Sequence, residues 1–260
     1  MSDLTSRDFR RPQHHEFYKL LRDACPNGSQ PFYVLFQDFL TLASAALMQP
    51  ANKLLTGKIS DEIEAEYMRT IKKYEKERTK NFSAAMSTLV LGLETELHDF
   101  LGDVYGCTGI SNHWAGQFFT PWPICKLMAK LTLGDNPEVG RSLRERRRFT
   151  VQEPAVGGGA MLLAVASELR EAGFHPHQWW FDATDVDRRC AQMAYIQLTL
   201  AGAPGVVRHG NSLTLDEWST WPTATGAMFP YIYPKPSVEA PVPGAKPPPK
   251  PGQMYFELAA

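Results

Sequence analysis

The residues best placed for chemistry are Glu153-Pro-Ala-Val-Gly157-Gly158-Gly159. They lie between a stretch that predicts a strand, FTVQEP, and one that predicts a helix, AMLLAVASELREAG. Clustered glycines permit a tight turn with positive φ and let the backbone come close to a ligand. The acid ahead of them can accept hydrogen bonds from a ligand's amino or hydroxyl groups. About 25 to 30 residues on, Asp185 ends the next strand-like stretch, WWFDATDVD, and a carboxylate at the end of the second strand is where α/β folds grip a ribose. Taken singly, the glycine cluster reads as a turn and Asp185 as a helix cap. Taken together at this spacing, they point to a nucleoside-containing cofactor. The turn is not Gly-x-Gly-x-x-Gly, so the dinucleotide fingerprint is missing.

A second feature is the basic knot Arg141, Arg144, Arg146, Arg147 and Arg148, interrupted by Glu145. It can contact a phosphate backbone, or it can be a solvated loop before the first strand. The whole chain is balanced, with 27 Lys+Arg against 28 Asp+Glu and a formal net charge of −1. That argues against an overall polybasic nucleic-acid binder and leaves the knot as a local patch. Four scattered cysteines, Cys25, Cys107, Cys125 and Cys190, form no Cys-x-x-Cys. They make neither a disulfide framework nor a zinc site, and reduced thiols fit a cytoplasmic protein. No apolar run reaches the roughly 18 residues of a membrane helix, and the polar opening MSDLTSRDFRRPQHH is no signal peptide.

The elements that must position these residues follow from periodicity and punctuation. The first hundred residues predict helices. Pro31 opens an apolar run that ends at Pro50, and Ser60 ahead of Asp61, Glu62 and Glu64 predicts a capped helix start. A further helix is expected from about Phe82 to Tyr105, with Met86, Leu89, Val90, Leu93, Leu97 and Leu101 on one stripe. Thr120-Pro121 starts a helix, PWPICKLMAKLTL, with Thr120 as its cap. Beyond FTVQEP the pattern alternates strand, helix, strand, helix and a short strand VVRHG, the order of a parallel sheet with crossover helices. Of 20 prolines, eight lie between Pro234 and Pro251, so an extended tail is expected from about Pro234.

Gly116-Gln-Phe-Phe-Thr-Pro121 stands directly before a helix and about 35 residues ahead of the glycine turn. It resembles the first cofactor motif of adenine-N6 DNA methyltransferases, especially the modification subunits of type I restriction systems and related phage or plasmid methylases. Asp99-Phe-Leu-Gly-Asp-Val-Tyr105 resembles the helix end that precedes this motif in that family. Glu153-Pro-Ala-Val-Gly-Gly-Gly159 resembles the family's Asp-Pro-Ala-Cys-Gly-Thr-Gly, Thr184-Asp185-Val-Asp187 its second motif, and Gly210-Asn-Ser-Leu213 its third. The motifs stand in the family's order and cover about residues 95 to 213.

The resemblance implies S-adenosylmethionine as cofactor. Phe119, Thr120 and Pro121 would line the methionine side, Glu153 would lie near the methionine amino group, and Gly157 and Gly159 would let the backbone approach. Asp185 would hold the ribose, and Asn211 would face the adenine. Asp187 reads as the cap of the following helix.

The sequence departs from the family at its catalytic motif, Asn/Asp-Pro-Pro-Tyr/Phe. In that motif an acceptor side chain holds the target amino group toward the methyl, and the aromatic ring stacks on the flipped base. No such tetrapeptide follows Leu213. The nearest string, Met228-Phe229-Pro230-Tyr231, keeps Pro-Tyr and puts a thioether, a weak acceptor, where the amide or carboxylate belongs. It reads either as a relic of that motif or as an ordinary loop. The residues after Leu213 are too few for the remaining strands of such a sheet.

The expected architecture is therefore α/β: a helical domain over 1–110, an incomplete Rossmann-like class I methyltransferase sheet over 111–233, and a Pro-rich flexible tail over 234–260. The expected function is an S-adenosylmethionine-binding, adenine-N6 DNA methyltransferase-like protein of the type I modification-subunit kind that needs a partner for methyl transfer or lacks it. The alternative is an inactive, methylase-derived DNA-binding or regulatory protein. The expected partners are DNA and a second copy or another chain covering the truncated sheet edge.

Overall fold

The computed structural model describes residues 4–25, 30–109, 119–134, 141, 145 and 149–229. Helix α1 (Pro12–Asp23) opens on a proline, whose missing N–H would have no partner in a first turn. It buries His14, Phe17, Tyr18 and Leu21 along one stripe. Helix α2 (Phe32–Thr56) follows Pro31 and closes on Gly57, which takes the left-handed conformation at φ 76. The apolar run was expected to end at Pro50, but the helix passes through it. The carbonyl that loses its partner belongs to exposed Ala46, where water can replace the bond. By length and mean hydropathy α2 is also long and apolar enough to cross a membrane. In this fold its Leu35, Phe36, Phe39 and Leu40 lie in the core.

Helix α3 (Asp61–Ile71) starts as expected, with the Ser60 side chain accepting from the Ile63 amide. The single helix expected from Phe82 to Tyr105 is two: α4 (Lys80–Thr95) and α5 (Phe100–Cys107). Glu96 turns to extended backbone, and the Asp99 carboxylate caps a new start by accepting from the Gly102 amide at 3.0 Å. A short polar side chain bonded to nearby backbone competes with helix continuation. Asp99-Phe-Leu-Gly-Asp-Val-Tyr105 is thus a helix start rather than a helix end. Helix α6 (Trp122–Leu133) begins one residue later than expected, with Pro121 in the cap position.

The alternating pattern after residue 149 is a sheet. Strands β1 (Phe149–Glu153), β2 (Trp179–Asp185) and β3 (Gly205–Asn211) are parallel and ordered as in the chain. Helices α7 (Ala160–Glu171) and α8 (Arg188–Leu200) are the crossovers. A fourth strand, β4 (Asp216–Pro222), escaped the sequence reading. It folds back antiparallel on β3 after an irregularity between His209 and Gly210. The ATGA segment that follows is not strand but helix α9 (Ala224–Met228), capped by Thr223.

Helix α6 packs on α7, and α2, α4 and α5 pack on α8. One buried cluster runs from Phe17 through Phe39, Phe100 and Tyr105 to Phe181, Tyr195 and Val207. The helices of the first hundred residues and the sheet therefore share a core.

Asp103 of α5 carries a titratable strain on this packing. The Arg10 guanidinium lies 2.7 Å from its carboxylate, yet burial outweighs that partner and pushes the carboxyl up to about 6. A folded value above the unfolded one means that the protonated form is favoured in the fold. That contribution is complete below about pH 4 and is lost as pH rises through about 6. Asp103→Asn should therefore raise the urea midpoint at about pH 8, and the gain should vanish near pH 4. Urea titrations of both proteins at the two pH values check this; an equal shift at both would contradict it.

Candidate functional site

The three parallel strands end on one edge of the sheet, and each ends on a polar residue: Glu153, Asp185 and Asn211. Register sets Glu153 beside Ala183, and Asp185 beside His209. The glycine-rich segment turns across this edge from β1 into α7. Its path is fixed by backbone bonds from the Val156 amide to the Thr184 carbonyl and from the Gly159 amide to the Val156 carbonyl, both 2.9 Å.

Two glycines are required by conformation. Gly157 has φ 55 and Gly159 has φ 98, values that cost a side-chain-bearing residue energy. A Cβ on Gly157 would also lie 3.2 Å from Phe119, and one on Gly159 would lie 3.3 Å from the Ala194 Cα. The structure thus brings Phe119 onto the glycine turn. There it meets Tyr105 edge-on, at 5.4 Å between ring centres. Thr120 and Pro121 follow at the exposed start of α6. Gly116 to Phe118 lie outside the described residues.

Asp185 is the best-organised acid of the set. Its Oδ2 accepts from the Gly157 amide and its Oδ1 from the Asp187 amide, each at 2.8 Å. These bonds orient the carboxylate and leave each oxygen with acceptor capacity for a further donor. Burial pushes the Asp185 carboxyl up, against the two amides, which favour its ionised form. Glu153 is likewise pushed up by burial, and it accepts from the Ala155 amide at 3.3 Å. One buried and one half-buried acid on the same rim, both pushed up, suit a ligand with hydroxyl groups and a cationic group. Asp187 caps α8 by accepting from the Arg189 amide at 2.9 Å. Asn211 spends its Oδ1 on the β3–β4 turn, accepting from Leu213 at 2.9 Å and Thr214 at 3.3 Å. That leaves its amide hydrogens as the groups to face a ligand.

Sequence reasoning missed two neighbours of Asp185. Val186 is an apolar side chain, 61% exposed, directly after the acid, and offers a flat apolar contact at the rim. His209 stacks on Trp221 and meets Trp218 edge-on. The signal for Val186 was its position between an oriented acid and a helix cap. His209 gave none, because the strand that supplies both tryptophans was not recognised.

Other expected residues are not brought to this edge. Met228 ends α9 and Phe229 follows it, and that helix sits at the opposite end of β3. The Thr223 hydroxyl accepts from the Gly205 amide at 3.1 Å and donates to the Ala203 carbonyl at 2.7 Å. A strand of seven residues puts about 20 Å between that end and Asn211. Pro230 and Tyr231 lie outside the described residues, as do Arg144, Arg146, Arg147 and Arg148. Arg141 is exposed.

A protein-family model described as N-6 DNA Methylase matches residues 97–236, over half of the chain. No curated protein matches. Among solved structures, the chain is similar to the methyltransferase subunit of a type I restriction-modification system from Streptococcus thermophilus, at 15% identity and a TM-score of 0.38, with 74% of this chain and 56% of that one covered. It is also similar to a protein from Listeria monocytogenes described as a class I S-adenosylmethionine-dependent methyltransferase, at 14% identity and a TM-score of 0.37, with 74% and 51% covered. The chain spans about half the length of these structures.

The glycine turn generates a stability prediction. Gly157→Ala should cost about 1–2 kcal/mol, because alanine resists the left-handed conformation and its methyl presses on Phe119. Gly106→Ala, in α5 with nothing within 4 Å of the new Cβ, should cost nothing or stabilise slightly. Urea denaturation of both variants checks the contrast; equal stabilities would contradict it.

Proposed function

Because this chain belongs to the N-6 DNA methylase family, we propose that it is the cofactor-holding part of an adenine-N6 DNA methylase of the type I modification-subunit kind. S-adenosylmethionine is the cofactor that this membership implies. The observation that carries the reading is the Asp185 carboxylate, oriented by the Gly157 and Asp187 amides at the rim of a left-handed glycine turn.

The residues present fit that cofactor. Asp185 keeps acceptor capacity on both oxygens for a ribose diol, beside the exposed apolar surface of Val186. Glu153, half-buried and pushed toward its neutral form, gains an ionised state when an ammonium group lies beside it. Gly157 and Gly159 leave the backbone bare where side chains would crowd, and Phe119 borders that turn; with Thr120 and Pro121, which follow it in the chain, it is assigned to the methionine side. Asn211, whose Oδ1 is taken by the Leu213 and Thr214 amides, would have its amide hydrogens to offer the adenine. When bound, S-adenosylmethionine supplies a methyl group made electrophilic by a sulfonium. The part of this chain is to hold the ribose, neutralise the ammonium charge and fix the turn.

The acceptor half of the chemistry is the weak side. Nothing after Leu213 matches Asn/Asp-Pro-Pro-Tyr/Phe, and α9 carries Met228 and Phe229 to the far end of β3. The reading is therefore that methyl transfer to DNA requires a partner chain or has been lost. Two features support a partner. Among the described residues β1 pairs only with β2, and α6 exposes Ile124, Leu127, Met128 and Leu131 along one face. Arg144, Arg146, Arg147 and Arg148 are the candidates for phosphate contact. The second reading, a methylase-derived binding protein without chemistry, is favoured by the same placement of Met228.

Calorimetric titration with S-adenosylmethionine should give binding, and Asp185→Ala should weaken it by about tenfold or more, since a charge-assisted hydrogen bond to the ribose is lost. No binding at millimolar cofactor would remove the cofactor role. Purified protein alone should transfer no labelled methyl to unmethylated DNA, and transfer by the lone chain would overturn the partner requirement.

A further inference from the structure

Gly158, between the two left-handed glycines, is held by a side chain that comes from far along the chain. The Gln197 amide nitrogen donates to the Gly158 carbonyl at 2.7 Å and to Asp99 Oδ1 at 2.8 Å. The Gln197 carbonyl oxygen accepts from the Leu101 amide at 3.0 Å. Asp99 Oδ1 also accepts from the Gly102 amide at 3.0 Å. Gln197 is 0% exposed and Asp99 4%, so water cannot replace a bond that is lost. The packing is as tight as the bonding, since a Cβ on Gly158 would fall 2.8 Å from Asp99 Oδ1.

One amide on α8 thus spends both hydrogens and its oxygen on three places: the glycine turn, the cap of α5 and the first turn of α5. The Gly157 amide, one residue away, points to Asp185 on β2. Two peptide units of the turn are held from two sides, Val156–Gly157 by β2 through Asp185 and Gly158–Gly159 by α5 and α8 through Gln197 and Asp99.

We propose that Gln197 and Asp99 are positioning residues for the cofactor turn, so that seating of α5 against α8 sets cofactor affinity. This rests on the cofactor reading above. The role of Gln197 is to fix the orientation of the Gly158 peptide, and with it the surface that Gly157 and Gly159 present. Asp99 holds the Gln197 amide in place and ties the turn to the N-terminal helices. Neither side chain needs to touch the cofactor.

The test compares Gln197→Met, which keeps the length of the side chain and removes the amide, with Thr223→Val. The latter removes a buried hydroxyl and its hydrogen bonds at the far end of β3, so it lowers stability without touching the turn. Gly158→Ala is the second probe, because its methyl displaces Asp99 without altering Gln197. Asp99→Asn keeps an acceptor for both donors and serves as the conservative rescue. Calorimetry with S-adenosylmethionine, run well below each melting temperature, should show about tenfold or greater weakening for Gln197→Met and Gly158→Ala. Thr223→Val and Asp99→Asn should bind within a few-fold of the parent. Parental affinity in Gln197→Met, or equal weakening in Thr223→Val, overturns the proposal. Hydrogen exchange separates it from the cofactor reading, since it needs no ligand. The Gly157 and Gly159 amides should exchange faster in Gln197→Met and Gly158→Ala, and unchanged in Thr223→Val. A parent that binds no cofactor but shows this exchange pattern sinks the cofactor reading and leaves the clamp standing. A parent that binds, with exchange unchanged by Gln197→Met, sinks the clamp.

Discussion

Ten consecutive residues of α8, Cys190 to Thr199, are buried. A helix enclosed on every side leaves no face for polar groups, so its two buried glutamines need partners supplied by the surroundings. Gln192 finds the Ser44 hydroxyl of α2 at 3.1 Å, and Gln197 finds Asp99, Leu101 and Gly158. The apolar residues between them fill the space among α2, α4, α5, α7 and the sheet. These demands fix where the first hundred residues can sit, because their helices supply both the polar partners and the second wall of the core. They also fix the rim, since the cap of α8 is Asp187, two residues beyond the acid that the glycine turn addresses.

The rim itself balances burial against charge. Asp185 and Glu153 are both pushed up by burial, and backbone amides only partly offset it. Such a site is tense when empty of cations and relaxes when a positive group arrives. The geometry is decided by where the peptide groups of the turn find their partners. Val156, Gly157 and Gly159 each commit an amide to a specific oxygen, which leaves the turn little freedom.

The sequence announced the parallel part of the fold because its signals are local. Strands β1 to β3 are short apolar runs, each bounded by glycine or an acid, and the crossover helices between them are rich in alanine and leucine. Strand β4 was invisible because DEWSTWP sits at the exposed edge, where no buried face imposes an alternating pattern. The break between α4 and α5 was hidden for a different reason. Leu97 and Leu101 keep helical spacing with Leu93, and periodicity cannot see that the Asp99 carboxylate competes with the helix for an amide. At the site, the glycine turn and Asp185 were legible from type and spacing, Phe119 came from the family resemblance alone, and Asp187 was read as the cap it is. Gln197 was not legible at all: an amide inside an alanine- and leucine-rich helix carries no sign that its partner lies 98 residues away.

The shared core has a consequence for how the chain comes into being. Gln192 meets Ser44 across 148 residues, and Arg188 meets Glu66 across 122. During synthesis α2 leaves the ribosome with its apolar face uncovered, and α8, which covers it, follows only after some seven to thirty seconds at about 5–20 residues per second. Contacts of this range also make closure slow after synthesis is complete. The nascent helices therefore hold apolar surface exposed during that interval, the condition under which unfinished chains aggregate or engage chaperones.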